Sequence, residues 1–183
     1  AKAVEIVLKS DRIFLTGCGT SFHAALTGEY MFNTLCGLNA ISFISSEYMR
    51  YRKVFSGRDT VIAISQSGET IDTLMAVREA KKRGARTIAI SNVLDSAIPR
   101  ETDLAIYTRA GPEIGVAATK TFTSQLSVLL LMTLQIANKL GSEDPKTLST
   151  INDEIRKLPD IVSDVIYSHE ARIRSFAEKL KTK

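Results

Sequence analysis

Five short runs of apolar residues mark the first 110 residues, and amphipathic segments separate them. The runs are IFLTG, AISFIS, TVIAI, RTIAIS and LAIYT, at residues 13–17, 40–45, 60–64, 86–91 and 104–108. Most are continuously apolar rather than alternating, which is typical of strands buried on both faces of a parallel sheet. The last run is expected to form an edge strand.

The segments between the runs predict the connecting helices. We expect helices over 21–36 and 70–84, with Thr70 placed to cap the second helix and Gly84 placed to end it. One or two helical turns are expected over 47–53. Strands that alternate with helices lie parallel and are joined by right-handed crossovers. The predicted fold class is therefore α/β, a three-layer α/β/α architecture around an open five-stranded parallel sheet.

Helices continue after the sheet. The segment 119–140 is apolar around most of its girth, which predicts a helix packed in a core or a subunit interface and suggests a homodimer. Apolar spacing predicts further helices over 145–158 and 160–182, and Pro159 is expected to break or kink the run between them. One domain is expected. Its parts are a sheet core, about 10–110, and C-terminal helices, about 119–182.

Composition and charge argue against several classes of protein. The 183 residues carry a net charge of +4 with scattered basic residues, so no nucleic-acid-binding face is expected. The apolar run 126–137 is shorter than the roughly 20 residues of a membrane span. Cys18 and Cys36 form no CxxC or CxxH pair, which argues against a structural zinc site, and no signal peptide opens the chain. We therefore expect a cytoplasmic protein without a metal.

Polar turns follow the first and third predicted strands. GCGTS spans Gly17–Ser21 and SQSGET spans Ser65–Thr70, and each turn leads into a helix. Ligands of open parallel sheets bind at the carboxyl ends of the strands, near the point where strand order reverses. Helix N-termini present unpaired N–H groups and a positive dipole end. With hydroxyls and glycines they form a neutral cradle for a phosphate, without Lys or Arg.

Other interpretations of these turns stay open. Ser and Thr before helices are usually N-caps, although a cap needs one oxygen and the second turn carries three hydroxyls and a glutamine. The first turn partly matches the dinucleotide fingerprint GxGxxG, but Phe22 replaces the third glycine, which disfavours NAD. No GxxxxGK[ST] stretch indicates a nucleoside triphosphate. A small phosphorylated metabolite fits best, and no cofactor is expected.

A third candidate stretch, RAGPEIGVAATKTFTSQL, spans 109–126. Glu113 is the one carboxylate in its Gly-rich loop and is a candidate general base or acceptor for sugar hydroxyls. It equally suits a solvated loop acid or a partner of Lys120 or an arginine. His23 is more typical of a surface or interface residue, and Cys18 has no visible base partner. No catalytic residue is assigned.

Four motifs carry a resemblance to a known family. GCGTS, SQSGET, SEYMRYR and EIGVAATKTFTSQL, in this order over about residues 10–135, resemble the first SIS (sugar isomerase) domain of the glutamine–fructose-6-phosphate aminotransferases. SQSGET alone marks the wider SIS family of phosphosugar isomerases and regulators. The resemblance implies a flavodoxin-like SIS fold that binds fructose 6-phosphate or glucosamine 6-phosphate. By motif position it implies phosphate ligands at Ser65, Gln66, Ser67 and Thr70, sugar contacts at Cys18, Gly19, Thr20 and Ser21, and a backbone contact at Val116.

The resemblance also implies one lobe of a longer enzyme. Aminotransferases of this family carry a glutaminase domain and a second SIS domain, so both are expected as partners, and the lobe alone is expected to bind without catalysing. The parent reaction turns fructose 6-phosphate and glutamine into glucosamine 6-phosphate and glutamate. Two alternatives stay open: a stand-alone phosphosugar sensor or regulator, and a small SIS isomerase whose site is completed across a dimer.

Overall fold

The structure, a computed structural model, describes residues 1–115 and 117–181. The chain divides into two compact units, Ala1–Ser142 and Glu143–Lys183. Val116, one of the expected ligand contacts, lies outside the described residues.

The first unit is built on a parallel sheet whose strand order is β2-β1-β3-β4-β5. The three inner strands are almost completely buried, whereas β2 and β5 lie at the edges and are partly exposed. This confirms the predicted α/β class with five parallel strands. The strands are β1 (Arg12–Gly17), β2 (Ala40–Ile44), β3 (Asp59–Ser65), β4 (Arg86–Ser91) and β5 (Leu104–Tyr107).

Helices cover both faces of this sheet. One layer contains α1, α2 and α6, and the other contains α3, α4 and α5 after a 3₁₀ turn. Two short helices, α1 and α5, were not predicted from the sequence. The helices are α1 (Lys2–Leu8), α2 (Thr20–Cys36), α3 (Tyr48–Tyr51), α4 (Ile71–Lys82), α5 (Ala97–Glu101) and α6 (Lys120–Leu140).

Helix α6 packs tightly along α2. A Cβ on Gly28 of α2 would lie 2.7 Å from Leu15 Cδ2 and 3.1 Å from Leu129 Cδ2, so glycine allows the close approach. Near the other end, the Cys36 thiol donates to the carbonyl of Thr133 over 3.4 Å. Five apolar residues of α6 are buried, namely Leu129, Met132, Leu134, Ile136 and Ala137, and the expected homodimer stays a prediction.

An ion pair joins β1 and β3 at the amino end of the sheet. Arg12 donates to both carboxylate oxygens of Asp59, over 2.9 and 2.8 Å, and Ser56 donates to the same carboxylate. Burial raises the pKa of Asp59, but the bonds from Arg12 and Ser56 outweigh this effect and leave the pKa below its usual range. A buried carboxylate is tolerated because it is paired and fully hydrogen-bonded.

The second unit contains one long helix, α7 (Pro145–Leu180). The side chain of Asp144 accepts from the N–H of Lys146 and caps its start. Of the two outcomes expected at Pro159, the break is wrong, because that proline lies inside a continuous helix, and the kink stays a prediction. Proline removes only one N–H, and the apolar spacing continues on both sides of it. None of the described helices combines the length and apolar character that a membrane crossing requires.

Candidate functional site

The topology brings the two polar turns to the same edge of the sheet. Strand order reverses between β1 and β3, because β1 leads to β2 on one side while β3 leads to β4 on the other. The carboxyl ends of these two strands are close: a Cβ on Gly17 would lie 2.9 Å from the carbonyl oxygen of Ile64. The turn after β1 begins at Cys18, and the turn after β3 begins at Gln66. Both turns therefore lie beside the place where open parallel sheets bind ligands.

Hydroxyl groups shape the turn after β3 from inside. The Oγ of Ser65 accepts from the N–H of Gly68 over 3.0 Å and lies 3.1 Å from the Oγ1 of Thr70. The Oγ of Ser67 accepts from the N–H of Glu69 over 3.2 Å. These bonds fix the turn and gather its hydroxyls at the start of α4.

Gly68 gives this turn its close fit. Its φ is +68°, a backbone conformation that favours glycine. A Cβ at this position would lie 2.7 Å from Ser96 Cβ and 2.8 Å from Ser91 Oγ. The turn therefore packs directly on the residues that end β4 and begin α5.

The starts of α2 and α4 lack side-chain caps. Thr70 occupies the N-cap position of α4, and its carbonyl accepts from the N–H of Leu74, but its side chain makes no cap bond. The expectation that Thr70 caps this helix is thus wrong for the side chain, because its hydroxyl faces Ser65. The N-cap of α2 is Gly19, so the hydroxyls of Thr20 and Ser21 lie inside the first turn and cap nothing. Both helix starts leave first-turn N–H groups for another acceptor.

Glu113 caps the start of α6, the third helix start at this edge. Its carboxylate accepts from the N–H of Thr119, and from both the N–H and the hydroxyl of Thr121, at 2.7 to 3.2 Å. The hydroxyl and N–H of Thr121 chiefly lower the pKa of Glu113. Helix α6 therefore has its own anion, unlike α2. A carboxyl group with a lowered pKa is also a poorer general base.

Two residues that the sequence did not single out organise the surroundings. Asn92, after β4, accepts from Thr108 and Ala110 and donates to the carbonyl of Gly111, which fixes the loop after β5. Gln125 of α6 is only 1% exposed, and its Nε2 donates to the Oγ of Ser21 over 3.1 Å. No local motif marks either residue in the sequence. Their hydrogen-bond partners are distant in sequence, so their roles can be recognised only from the structure.

The expected site residues differ in exposure. Cys18, Thr20, Gln66, Ser67 and Thr70 are partly exposed, Gly19 is exposed, and Ser21 and Ser65 are buried. Gln66 also lines a cleft of about 490 Å³ with Asn92 and Glu113. Within the described residues, no group of His, Cys, Asp and Glu side chains is arranged to hold a metal ion.

Comparison with known proteins places the sequence in a family context. A sequence model of the SIS domain matches residues 6–135. The chain is 46% identical over 173 residues to a glutamine–fructose-6-phosphate aminotransferase (isomerizing) of Methanosarcina mazei, which covers 94% of this chain and 28% of the relative. It is 42% identical over 180 residues to the enzyme of the same name from Thermococcus kodakarensis, covering 98% and 30%. The chain thus spans less than a third of the length of these relatives.

Solved structures agree with the fold. The C-terminal domain of glucosamine-fructose-6-phosphate aminotransferase from Francisella tularensis superposes with a TM-score of 0.85 at 35% identity, covering 96% of this chain and 50% of that one. The sugar isomerase domain of an RpiR transcription factor from Sphaerobacter thermophilus gives a TM-score of 0.67 at 21% identity, with coverages of 85% and 84%. The second likeness shows the fold alone.

Proposed function

Because the chain belongs to the SIS domain family, we propose that the turns after β1 and β3 bind a phosphorylated sugar. The phosphate accepts from the turn after β3 and from the start of α4, and the sugar lies toward the start of α2. The proposed phosphate ligands are Ser65, Gln66, Ser67 and Thr70, and the proposed sugar contacts are Cys18, Gly19, Thr20, Ser21 and the backbone of Val116.

One observation carries this proposal. Two helix starts without side-chain caps converge where the strand order reverses, and they bring hydroxyl groups that cap nothing. Uncapped helix starts attract anions, because their N–H groups and the helix dipole both favour negative charge. The neighbouring start of α6 supports the same conclusion by contrast, since the carboxylate of Glu113 already occupies it.

The relatives indicate which phosphosugar to expect. Their names include fructose 6-phosphate, and the chain matches just under a third of their length. We propose that the chain is the first SIS domain of such an enzyme and binds fructose 6-phosphate or glucosamine 6-phosphate. Its partners would be a second SIS domain and a glutaminase domain of the same chain, in a cytoplasmic homodimer.

We further propose that the 183-residue chain binds the sugar without converting it. Its one candidate base, Glu113, accepts four hydrogen bonds from Thr119 and Thr121 and has a lowered pKa. A carboxylate engaged in this way stabilises α6 rather than removing a proton from a sugar.

Thermal unfolding of the chain with each ligand tests the proposal. A ligand present at about 100 times its Kd stabilises the fold by roughly 2.7 kcal/mol, which gives a measurable rise in Tm. We expect this rise with glucosamine 6-phosphate and fructose 6-phosphate, and not with NAD. The double variant Ser65→Ala/Ser67→Ala should lose it.

Ser10 offers a matched control for these variants. Its hydroxyl pairs with Thr60 at the amino end of β3, over 2.6 Å, much as Ser65 pairs with Thr70 at the carboxyl end. Ser10→Ala should lower the Tm of the free protein but keep the full rise with phosphosugar. A rise that survives in Ser65→Ala/Ser67→Ala would place the ligand elsewhere, and a rise with NAD alone would overturn the proposal.

A further inference from the structure

We propose that Gln125 is a positioning residue that directs the hydroxyl hydrogen of Ser21 toward the bound phosphosugar. This inference rests on the proposed function, since it concerns the same site. Gln125 lies in α6, 104 residues from Ser21 in sequence, and its side chain is buried beside the first turn of α2.

The inference depends first on which atom donates in the hydrogen bond between Gln125 and Ser21. The Nε2 of Gln125 donates to the Oγ of Ser21 over 3.1 Å, so this oxygen acts as the acceptor. A serine hydroxyl has a single hydrogen, which is then left for another acceptor. Thr27 and Thr34, later in α2, give theirs to carbonyls one turn back. Ser21 lies in the first turn, and among the described residues its hydroxyl has no partner besides Gln125.

The packing of α6 against α2 keeps Gln125 in place. One turn further along α6, Leu129 contacts Gly28, and two turns further the carbonyl of Thr133 accepts from Cys36. These contacts show that α2 and α6 run in the same direction, so their starts meet at the ligand-binding edge. Gln125 is a buried polar residue at the end of this interface that lies nearest the site.

The carbonyl oxygen of the Gln125 side chain indicates that packing alone would favour an apolar residue over glutamine at this position. The Oε1 of Gln125 is buried, and no donor among the described residues reaches it. Leaving a buried acceptor without a donor is unfavourable, whereas an apolar side chain of similar shape would carry no such cost. We attribute the choice of glutamine to the bond that its Nε2 makes with Ser21.

A double-mutant cycle on the 183-residue chain tests this inference. Isothermal titration gives the Kd for glucosamine 6-phosphate in wild type, Gln125→Met, Ser21→Ala and the double variant. We expect Gln125→Met to raise the Kd about tenfold, the equivalent of one hydrogen bond. In the Ser21→Ala background it should change the Kd less than about twofold, because Gln125 acts through Ser21.

A second variant, Gln125→Glu, is tested through the pH dependence of its Kd, which would not change if Gln125 only filled space. Gln125→Glu keeps the shape; its neutral acid donates to Ser21 as the amide does, but its carboxylate accepts the Ser21 hydrogen instead. Relative to wild type at each pH, the Kd of Gln125→Glu should therefore rise as the pH is raised. Ile136→Ala, at the far end of α6, is the packing control: it removes a fully buried side chain and should lower the Tm and leave the Kd unchanged.

The outcomes separate this inference from the function on which it rests. If wild type binds, Ser65→Ala weakens binding and Gln125→Met keeps the wild-type Kd, the inference about Gln125 is overturned and the site stands. An equal effect of Gln125→Met with and without Ser21 also overturns it. If wild type binds neither phosphosugar, the proposed function itself fails.

Discussion

Replacing Gly68 by alanine tests how closely the turn after β3 is enclosed. Its φ is +68°, and an added Cβ would lie 2.7 Å from Ser96 Cβ and 2.8 Å from Ser91 Oγ. Hydroxyl groups can rotate away, but Ser96 Cβ is fixed to a buried backbone segment at the start of α5. Either the turn or α5 must therefore move to admit the methyl group.

Two effects add in this variant. A left-handed backbone costs an alanine about 1–2 kcal/mol, and overpacking a filled space typically costs about 1–3 kcal/mol more. We expect the free energy of unfolding to fall by about 2–5 kcal/mol, measured by urea unfolding followed by circular dichroism. The control is Gly141→Ala at the end of α6, where φ is +64° and no atom lies within 4 Å of the added Cβ. It should lose about 1–2 kcal/mol, from the backbone alone.

The comparison between the two variants decides the question. Equal losses for Gly68→Ala and Gly141→Ala would refute the enclosure of the turn, since both share the backbone conformation and only one is crowded. A loss for Gly68→Ala that clearly exceeds the loss for Gly141→Ala, together with weaker phosphosugar binding, would show that the shape of this turn supports the site.

Two further predictions concern charged groups. Asp59→Asn should lower the free energy of unfolding at pH 7 by about 1–3 kcal/mol. This is less than the loss expected on breaking a fully buried ion pair, because the Arg12 side chain is 31% exposed. Because the pKa of Asp59 is lowered, this contribution is complete above about pH 4 and is lost as pH falls through the folded-state pKa. The free energies of unfolding of wild type and Asp59→Asn, measured with urea, should therefore approach each other in acid. A difference that stays constant with pH would contradict the ion pair as its source. In an NMR titration, the carboxyl of Glu113 should titrate below the usual range for glutamate, and Thr121→Val should raise its pKa; an unchanged midpoint in the variant would refute the cap.

The sheet and the two turns could be predicted because their signals are local. Runs such as TVIAI are apolar on both faces, and this pattern distinguishes an inner parallel strand from most alternatives. Hydroxyls and glycine after such a run indicate a polar turn at the carboxyl edge, which is where Ser65 and Gly68 lie. Strand ends and turn composition therefore located the candidate site without any knowledge of packing.

Features that depend on distant contacts were not predictable in this way. Gln125 stands in a long apolar helix, and its partner Ser21 is known only once α6 packs on α2. Glu113 caps a helix that begins seven residues later, at Lys120, so its role depends on the path of the intervening loop. The short helix α5 contains a proline and covers five residues, too few for an apolar period to emerge.

The most direct test of the account is a site-resolved titration of the ¹⁵N-labelled chain with glucosamine 6-phosphate, followed through its backbone amide signals. The account predicts that the amides at the starts of α2 and α4, including Ser21, Ser67 and Thr70, shift together with a single Kd, and that unphosphorylated glucosamine does not reproduce the shifts of the turn after β3. Shifts confined to the part of the cleft around Asn92 and Glu113, or no shifts at millimolar sugar phosphate, would contradict the claim that these two turns bind a phosphosugar.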